Sequence, residues 1–267
     1  MKTRTAKTTK NTSTAKLTKK ITPKAVAKST KSAKAAKSSK PTKSNKASIK
    51  NTAQIGSSFQ LSTKKMNEIF NIFSSINPNP KIELNHTNVF TLLVAVALSA
   101  QTTDKIVNKC TEELFKTYDT PQKMLDLGAE RISEIIKPTG FFNSKTKNLI
   151  KMCQQLVQNH KGVVPNKFED LTKLAGVGRK TADVVLNTGF GKHTIAVDRH
   201  IFRISHRIGL AQGKDADEVA NNLTKNLPKK WHKFAHHWLV LHGRYICKAQ
   251  KPQCKTCPIN HICLSYA

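Results

Sequence analysis

Apolar side chains recur every three to four residues from about residue 61 to residue 245, which is the period of an amphipathic helix. Ser62 or Thr63 can cap the first helix, and the Asn-Pro-Asn-Pro run at 77–80 ends it. No run of alternating apolar and polar residues with hairpin turns follows, so the sequence predicts an all-α body. The stripe of the first helix consists of Met66, Ile69, Phe70, Phe73 and Ile76.

Further helix starts follow from capping residues and from proline at the first helical position. Gly162 should end the helix that starts near residue 143, and three more helical stretches follow residue 198. The longest apolar run, 89–100, is too short to span a membrane and predicts a buried helix. The expected starts are Thr102 or Thr103, Thr120 with Pro121, and Asn143 or Ser144. The helix after residue 103 should bury Ile106, Val107, Cys110 and Leu114.

Residues 1–58 have a different composition, dominated by Lys, Ser, Thr and Ala. The first 57 residues contain no Asp, Glu, Phe, Tyr or Trp. Such a segment cannot bury enough apolar surface to offset the entropy of ordering it, so we expect a disordered tail. Residues 1–50 carry sixteen positive charges, fifteen of them Lys and one Arg4.

The charge of the chain points to a polyanionic partner. The net charge is +30, and +14 remains when the first fifty residues are left out. Nucleic acid is the first candidate, because Lys and Arg near phosphates release condensed counterions. The tail is interpreted as a DNA-binding or nuclear-targeting arm. An organelle transit peptide and a solvated spacer are the alternatives, although a transit peptide usually has more Arg and an apolar stripe.

The C-terminal twenty residues contain a possible metal site. Cys247, Cys254, Cys257 and Cys263 follow a C-x6-C-x2-C-x5-C pattern, and four thiolates from one short segment can surround a metal centre. Spacing alone leaves zinc and an iron–sulfur cluster both open. Disulfides are disfavoured because nothing in the sequence indicates export. Lys248, Lys251 and Lys255 lie among these cysteines and are phosphate-contact candidates or a solvated face.

Residues 174–186 contain the most informative motif, LAGVGRKTADVVL. Gly176 and Gly178 allow a sharp turn between two helices and leave backbone N–H groups bare, which suits one DNA phosphate. An ordinary interhelical turn is the alternative. Lys180 falls in the first turn of the second helix, where the helix dipole and partial burial favour a neutral, nucleophilic amine. Asp198 follows an apolar run and precedes the next helix, so it is either an N-cap or a catalytic acid.

Taken together, these motifs resemble the endonuclease III family, from about residue 61 to the C-terminus. The matching segments are 98–101 (LSAQ), 143–145 (NSK), 176–182 (GVGRKTA), 197–198 (VD), 236–238 (HHW), 241–245 (LHGRY) and the cysteine spacing. The resemblance implies two helical domains. A six-helix barrel with the helix-hairpin-helix would span 82–194, and 59–81 with 195–267 would form a second domain closed by a [4Fe-4S] cluster on the four cysteines.

The resemblance also implies an activity, that of a bifunctional DNA glycosylase and AP lyase of base excision repair. Lys180 would displace an oxidised pyrimidine through a Schiff base, Asp198 would stabilise the positive charge on the sugar, and β-elimination would nick the strand 3′ to the abasic site. Gln101 would enter the gap left by the everted base, and Phe141 would be an apolar wedge or a packed aromatic. The expected DNA-binding residues are Gln101, Phe141, Asn143, Lys145, Gly176, Gly178, Arg179, Lys248 and Lys251.

Three residues depart from the family pattern. Ala175 replaces the usual proline, Asp183 stands where asparagine is common, and Arg199 replaces a small hydroxyl residue. Asp183 could raise the pKa of Lys180 modestly from an exposed position on the same helix, and Arg199 could add a phosphate contact.

Two other functions remain as alternatives. One is an adenine-specific mismatch glycosylase, which lacks the lysine nucleophile and has an extra C-terminal domain; the other is a noncatalytic DNA-binding protein. The expected partner is duplex DNA with oxidised pyrimidines or abasic sites, bound by a monomer without a membrane. A bacterial cytosol with its nucleoid fits the resemblance best, with a nucleus or an organelle as alternatives.

Overall fold

The structure is a computed structural model, and it describes residues 60–266. The predictions for the tail, 1–58, concern a part of the chain outside the described residues. Within 60–266 the chain forms α-helices and short 3-10 and π turns and no β-strand, so the predicted all-α fold is confirmed for this part.

Eleven α-helices make up the described part of the chain. They are α1 (Thr63–Ile76), α2 (Val89–Leu98), α3 (Asp104–Thr117), α4 (Pro121–Leu127), α5 (Ala129–Ile136), α6 (Phe142–His160), α7 (Phe168–Thr172), α8 (Arg179–Val184), α9 (Arg199–Ile208), α10 (Ala216–Asn226) and α11 (His232–Leu241). π turns extend α8 and α11, over Val185–Gly189 and His242–Ile246. The 3-10 turns are Lys137–Thr139, Lys229–Trp231 and Cys254–Thr256.

Most of the predicted helix ends agree with the structure. The hydroxyls of Ser62, Thr103 and Thr120 accept backbone N–H groups at the starts of α1, α3 and α4. Gly162 follows the end of α6 with φ 76°, and its N–H donates to the Leu156 carbonyl at 2.9 Å. These polar caps satisfy backbone groups that a helix end leaves unpaired.

Three local predictions are wrong. The helix expected from residue 143 or 144 begins at Phe142, after Phe141 in the left-handed conformation and without a side-chain cap. Ile76 and Ile106 are exposed rather than buried, at 64% and 37%. Ile76 is the last residue of α1 and Ile106 is in the first turn of α3. Both residues lie in a terminal turn of their helix, where the packed stripe has a neighbouring turn on one side only.

The buried apolar residues form two clusters. The first contains residues between 84 and 196, and the second contains 61–73 together with residues between 195 and 262. All the described residues nevertheless belong to one compact unit by contact density. The predicted boundaries, 82–194 against 59–81 with 195–267, therefore stay a prediction, with which the two cores agree.

Two tryptophans join α1 to the C-terminal helices. The indole N–H of Trp231 donates to Asn67 Oδ1 at 2.9 Å, and that of Trp238 donates to the Asn77 carbonyl at 2.8 Å. The Trp231 ring stacks on Phe70 at 5.9 Å between centroids. Large rings with a satisfied N–H bury much apolar area, so these contacts hold the first helix in the second core.

In the described part of the chain, no helix is both long and apolar enough to cross a bilayer.

Candidate active site

Lys180 and Asp198 line the same cavity, and both also line the wider groove beside it. Lys180 is the second residue of α8 and is exposed, so the partial burial expected for it from the sequence is not found. Asp198 is the N-cap of α9 and is half-buried. The fold thus brings the amine and the carboxylate that the sequence analysis identified to one cavity. Each lies at the start of a helix, and the two helices follow one another in the chain.

Asp198 is firmly held as a helix cap. Its Oδ1 accepts the backbone N–H groups of His200 and Ile201, both at 2.8 Å. Burial acts to raise the pKa of Asp198, but the bond from Ile201 and the charge of Lys180 outweigh it and leave the pKa below its ordinary value. The carboxylate therefore stays ionised at neutral pH. Because both bonds use Oδ1, the cap leaves Oδ2 for another contact.

The cavity has apolar walls from both cores and a charged mouth. Leu84, Val96 and Val184 belong to the first core, and Val240 belongs to the second. A concave site with apolar walls and convergent polar groups is typical of small-ligand binding. The polar residues that line it are Glu83, Ser99, Asp104, Lys180, Asp198, His236, His237 and Arg244, with Lys81.

Arg244 organises the mouth of the cavity. Its Nη1 donates to Asp104 Oδ2 at 2.7 Å and to Glu83 Oε2, and the Tyr245 hydroxyl donates to Glu83 Oε1 at 2.8 Å. These bonds join the π turn after α11 to the start of α3. The sequence analysis gave Arg244 no role of its own, although the LHGRY segment was part of the resemblance. Its acidic partners are more than 130 residues away in sequence, and no local pattern identifies them.

Gln101 and Phe141 share an unusual backbone conformation. Their φ angles are 55° and 49°, in the left-handed region that non-glycine residues rarely adopt. Gln101 is exposed and lines the groove, and Phe141 is 67% exposed. Phe141 is therefore not a packed aromatic. Left-handed non-glycine residues cost on the order of 1–3 kcal/mol each and cluster at functional sites, where the surrounding fold holds them.

Lys145 links the loops that carry Gln101 and Phe141. Its Nζ donates to Thr102 Oγ1 and to the Thr139 carbonyl, both at 2.9 Å, and Thr102 Oγ1 also donates to the same carbonyl. Burial lowers the pKa of Lys145. The side chain expected to bind DNA thus fastens one loop to the other, whereas Asn143 is exposed in the first turn of α6.

The hairpin between α7 and α8 turns at Gly176, whose φ is 77°. A Cβ on Gly176 would lie 3.0 Å from Asn148 Cβ, whereas a Cβ on Gly178 would meet nothing within 4 Å. Gly178 is the N-cap of α8 with an ordinary negative φ of −94°. The two glycines therefore have different structural roles. Gly176 is required for the conformation of the turn, and Gly178 leaves open space at the start of α8.

Gly176→Ala should lower the free energy of unfolding by roughly 1–2 kcal/mol, because alanine is strained at this φ and crowds Asn148. Gly178→Ala is the matched control and should lose less stability than Gly176→Ala, because Gly178 has a negative φ and a Cβ there meets nothing within 4 Å. Urea unfolding of both variants measures the difference. Equal losses of stability in the two variants would contradict this assignment.

Arg179, which the sequence predicts to bind DNA, contacts α10 in the structure. Its Nη2 donates to Asn221 Oδ1 at 2.6 Å, and its Nε lies 3.5 Å from Asp183 and 3.7 Å from Asp217. Asp183 is buried, so its expected exposed position is wrong, and the carboxylate pairs with Arg179. Burial raises the pKa of Asp183, against the charge of Arg179. The asparagine-to-aspartate departure therefore supports a link between the hairpin and α10.

The other two departures also have local explanations. The Ala175 N–H donates to Gln155 Oε1 at 2.8 Å, a bond that the usual proline could not make because it has no N–H. Arg199 is exposed and lines the groove with Gln101 and Lys180. An arginine at that position adds positive charge where a DNA backbone would pass.

The four C-terminal cysteines line one cavity walled by Ile208, Ile246 and Ile259. All six cysteines are free, and Cys110 and Cys153 are buried. Among residues 60–266, no three His, Cys, Asp or Glu side chains lie close enough together to hold a single metal ion. Lys248 and Lys251 are exposed beside this cavity, and Lys251 has a left-handed φ of 49°.

Comparison with known proteins agrees with this geometry. The family model of the HhH-GPD superfamily of base excision DNA repair proteins matches residues 94–229. Endonuclease III of Rickettsia conorii is 57% identical over 201 residues, which cover 75% of this chain and 96% of that protein. The chain belongs to the endonuclease III family. Endonuclease III of Escherichia coli K12 is 48% identical over 203 residues, which cover 76% of this chain and 96% of that protein.

Solved structures of endonuclease III have the same fold. A trapped endonuclease III–DNA covalent intermediate matches with a TM-score of 0.72 and 40% identity, over 78% of this chain and 98% of that one. A non-covalent endonuclease III–DNA complex matches with a TM-score of 0.73 and 40% identity, over 78% and 97%. The family of this chain is thus one whose solved members include complexes with DNA.

Proposed function

We propose that this chain is a bifunctional DNA glycosylase and AP lyase that removes oxidised pyrimidines from duplex DNA. The observation that carries the proposal is the meeting of the Lys180 amine and the Asp198 carboxylate at one apolar-walled cavity. A neighbouring groove leads past Gln101 and Arg199. Membership of a family with DNA-bound solved structures, one of them a covalent intermediate, supports the same conclusion.

The proposed chemistry begins with nucleophilic attack by Lys180. Its neutral Nζ forms a bond to the sugar C1′ of an everted nucleotide, and the electron pair of the C1′–N bond leaves with the damaged base. Positive charge develops on the sugar during this step. The ionised Asp198, fixed by two backbone bonds, would stabilise that charge without reorganising.

The strand is nicked in a second stage. The Lys180 adduct opens to a Schiff base between Nζ and C1′. Loss of a proton from C2′ then forms a C2′–C3′ double bond, and the 3′ phosphate leaves with the electrons of the C3′–O bond. The break therefore lies 3′ to the abasic site, and hydrolysis of the imine releases Lys180.

Gln101 and Phe141 would act on the DNA stack. Both side chains are exposed and both backbones are strained, as is common for residues that contact a ligand. Gln101 would fill the gap left by the everted base, and Phe141 would insert as an apolar wedge. The remaining proposed contacts to the DNA backbone come from two regions. One region surrounds the hairpin and the other lies beside the cysteines: Asn143, Lys145, Gly176, Gly178 and Arg179 in the first, Lys248 and Lys251 in the second. Lys145 and Arg179 would act mainly by holding the loops and the helix that they contact.

We propose that Cys247, Cys254, Cys257 and Cys263, which line this one cavity, hold a [4Fe-4S] cluster. Burial raises the pKa of Cys257, while the backbone N–H of Ile259 acts to lower it. Arg207 Nη1 lies 3.7 Å from Cys247 Sγ and donates to the Lys248 carbonyl at 2.8 Å. Donors of this kind stabilise cluster-bound thiolates. The cluster, when bound, would supply a rigid anchor for the loop that carries Lys248 and Lys251.

Metal analysis tests the proposed cluster against zinc. Purified full-length protein should contain iron and acid-labile sulfide in equal amounts, and Cys254→Ser should lose most of both, because it removes one of four ligands. Cys153→Ser is the matched control, since that thiol is buried in the first core. Zinc without sulfide in the wild-type protein would contradict the assignment.

Borohydride trapping tests the proposed enzyme. The wild-type protein should form a covalent adduct with a duplex that contains an abasic site or thymine glycol, and should nick it 3′ to the lesion. An adenine-specific mismatch glycosylase lacks the lysine for this adduct, and a noncatalytic DNA-binding protein would only retain the duplex. Cluster-loaded protein that binds the duplex and forms no adduct would refute the proposal.

The bacterial relatives indicate the cellular compartment that we propose for the reaction. Endonuclease III proteins of bacteria match this chain, so we propose that it acts in a bacterial cytosol on nucleoid DNA, with a nucleus or an organelle as alternatives. It would act as a monomer with two helical domains, divided at 82–194 as the two cores suggest. The basic tail would add sequence-independent contacts to phosphates.

A further inference from the structure

The proposed reaction needs a proton carrier that Asp198 is poorly suited to be. When the Lys180 adduct opens to a Schiff base, Nζ must lose a proton and the sugar O4′ must gain one. Asp198 Oδ1 already accepts two backbone N–H groups, and its lowered pKa keeps the carboxylate ionised. A proton bound to Asp198 during this step would remove the negative charge that stabilises the sugar.

His236 supplies a second basic atom in the same cavity. It lies on α11, is 8% exposed and lines the cavity with Lys180 and Asp198. Its Nδ1 is 2.8 Å from the Ala196 carbonyl oxygen, which can only accept. Nδ1 must therefore carry the hydrogen, and in the neutral ring Nε2 is left with a lone pair.

The second nitrogen of His236 has no hydrogen-bond partner within 60–266. His232 provides the contrast, one helical turn earlier on α11: its Nε2 lies 2.8 Å from the Leu227 carbonyl and its Nδ1 lies 3.3 Å from the His193 carbonyl. A histidine that only packs can have both nitrogens occupied by the fold. At His236, a residue that lines the cavity, one nitrogen orients the ring and the other is not used by the described part of the fold.

The charges around His236 keep it neutral before the reaction. Burial lowers the pKa of His236, and the positive charges of Lys180 and Arg244 act in the same direction. The Ala196 bond and the charge of Asp198 oppose them without reversing the shift. The other titratable groups that line the cavity are Lys81, Glu83, Asp104 and His237. A neutral imidazole can accept a proton and release it again within one step.

We propose that His236 Nε2 carries a proton from Lys180 Nζ to the sugar O4′ as the covalent intermediate opens to the Schiff base. This role rests on the proposed lyase function. The nitrogen lone pair freed at Nζ forms the C1′=N bond, and the electrons of the C1′–O4′ bond go to O4′, which takes the proton from Nε2. The imidazole ends as it began, so no further reactant is needed.

His236→Asn is the first test. The asparagine Nδ2 can still donate to the Ala196 carbonyl, while the group at the Nε2 position is lost. Under single-turnover conditions with an abasic duplex, the rate of borohydride-trapped adduct formation should fall roughly 100-fold, as for loss of a general acid–base group. The dissociation constant for the duplex should not change. His232, which is also buried on the same helix, lies outside the cavity, so His232→Asn should keep the wild-type rate.

Chemical rescue separates a proton carrier from a packing residue. His236→Ala leaves space for a free imidazole, so added imidazole should accelerate adduct formation in this variant and leave the wild-type rate unchanged. A folded His236→Ala protein that imidazole does not accelerate would overturn the proposal, as would a wild-type rate in His236→Asn. Failure of the wild-type protein to form any adduct is a different result, and it refutes the lyase function itself.

Discussion

Lys180→Gln should form no borohydride-trapped adduct with an abasic duplex and should nick it at least about 1000-fold more slowly than the wild-type protein. Removing a covalent nucleophile removes the whole Schiff-base route, and losses of this size are usual for such residues. Binding should change little, because Lys180 is one exposed charge among many and phosphate contacts sum over the interface. Single-turnover nicking and fluorescence anisotropy at one salt concentration measure the two quantities.

Lys173→Gln is the matched control for that variant. Lys173 precedes the same hairpin, is exposed and pairs only with Asp170 at 3.1 Å, so its loss changes the charge equally without touching the cavity. It should trap and nick at the wild-type rate. Nicking by purified Lys180→Gln above the background of an untreated duplex would remove Lys180 from the mechanism.

Asp198→Asn should slow adduct formation by about 100- to 1000-fold, the usual cost of removing one fixed electrostatic group from an active site. Asparagine is as good an N-cap as aspartate, and its Oδ1 can accept the same N–H groups of His200 and Ile201. The substitution therefore removes the charge and keeps the helix start. The rate of borohydride trapping measures the effect of the lost charge on the reaction, and urea unfolding measures whether the helix cap is retained.

Asp198→Ala provides the comparison, because it removes both charge and cap. It should lose activity as Asp198→Asn does, and in addition lose about 1 kcal/mol of stability. A stable Asp198→Asn protein with the wild-type rate would mean that Asp198 serves only as a cap, which was the alternative interpretation of the sequence.

The sequence is sufficient for features that depend on local spacing. The period of apolar residues predicts the helices, since each must bury one face, and hydroxyl residues such as Thr103 and Thr120 locate their starts because they replace a missing backbone partner. Asp198 was recognisable as a capping position for the same reason. The pairing of Lys180 with Asp198 came from the resemblance, and the fold then brings the two side chains to one cavity.

Features that depend on contacts between distant segments could not be predicted. The partners of Arg179, Asn221 and Asp217, lie on α10, about forty residues later in the sequence. Asp183, the other partner of Arg179, is buried. Arg244 and His236 meet Lys180 only because two cores pack against each other, and nothing in the local sequence of α11 indicates which of its histidines faces the cavity.

Backbone strain was the other feature that the sequence did not indicate. A glycine would be expected at φ near 50°, yet the chain has Gln101 and Phe141 at such positions. The bonds of Lys145 to Thr102 and Thr139 hold the loops on either side. These contacts come from three separate segments of the chain, which no local sequence pattern brings together.

The central claim is that one particular amine attacks the sugar, in a chain with many lysines. Proteolysis and mass spectrometry of the borohydride-reduced adduct identify the residue that carries the deoxyribose remnant. The modification should map to Lys180 alone, in the peptide that follows the hairpin glycines. Its recovery on a lysine of the N-terminal tail, on the N-terminal amine or on Lys145, with Lys180 unmodified, would contradict the mechanism.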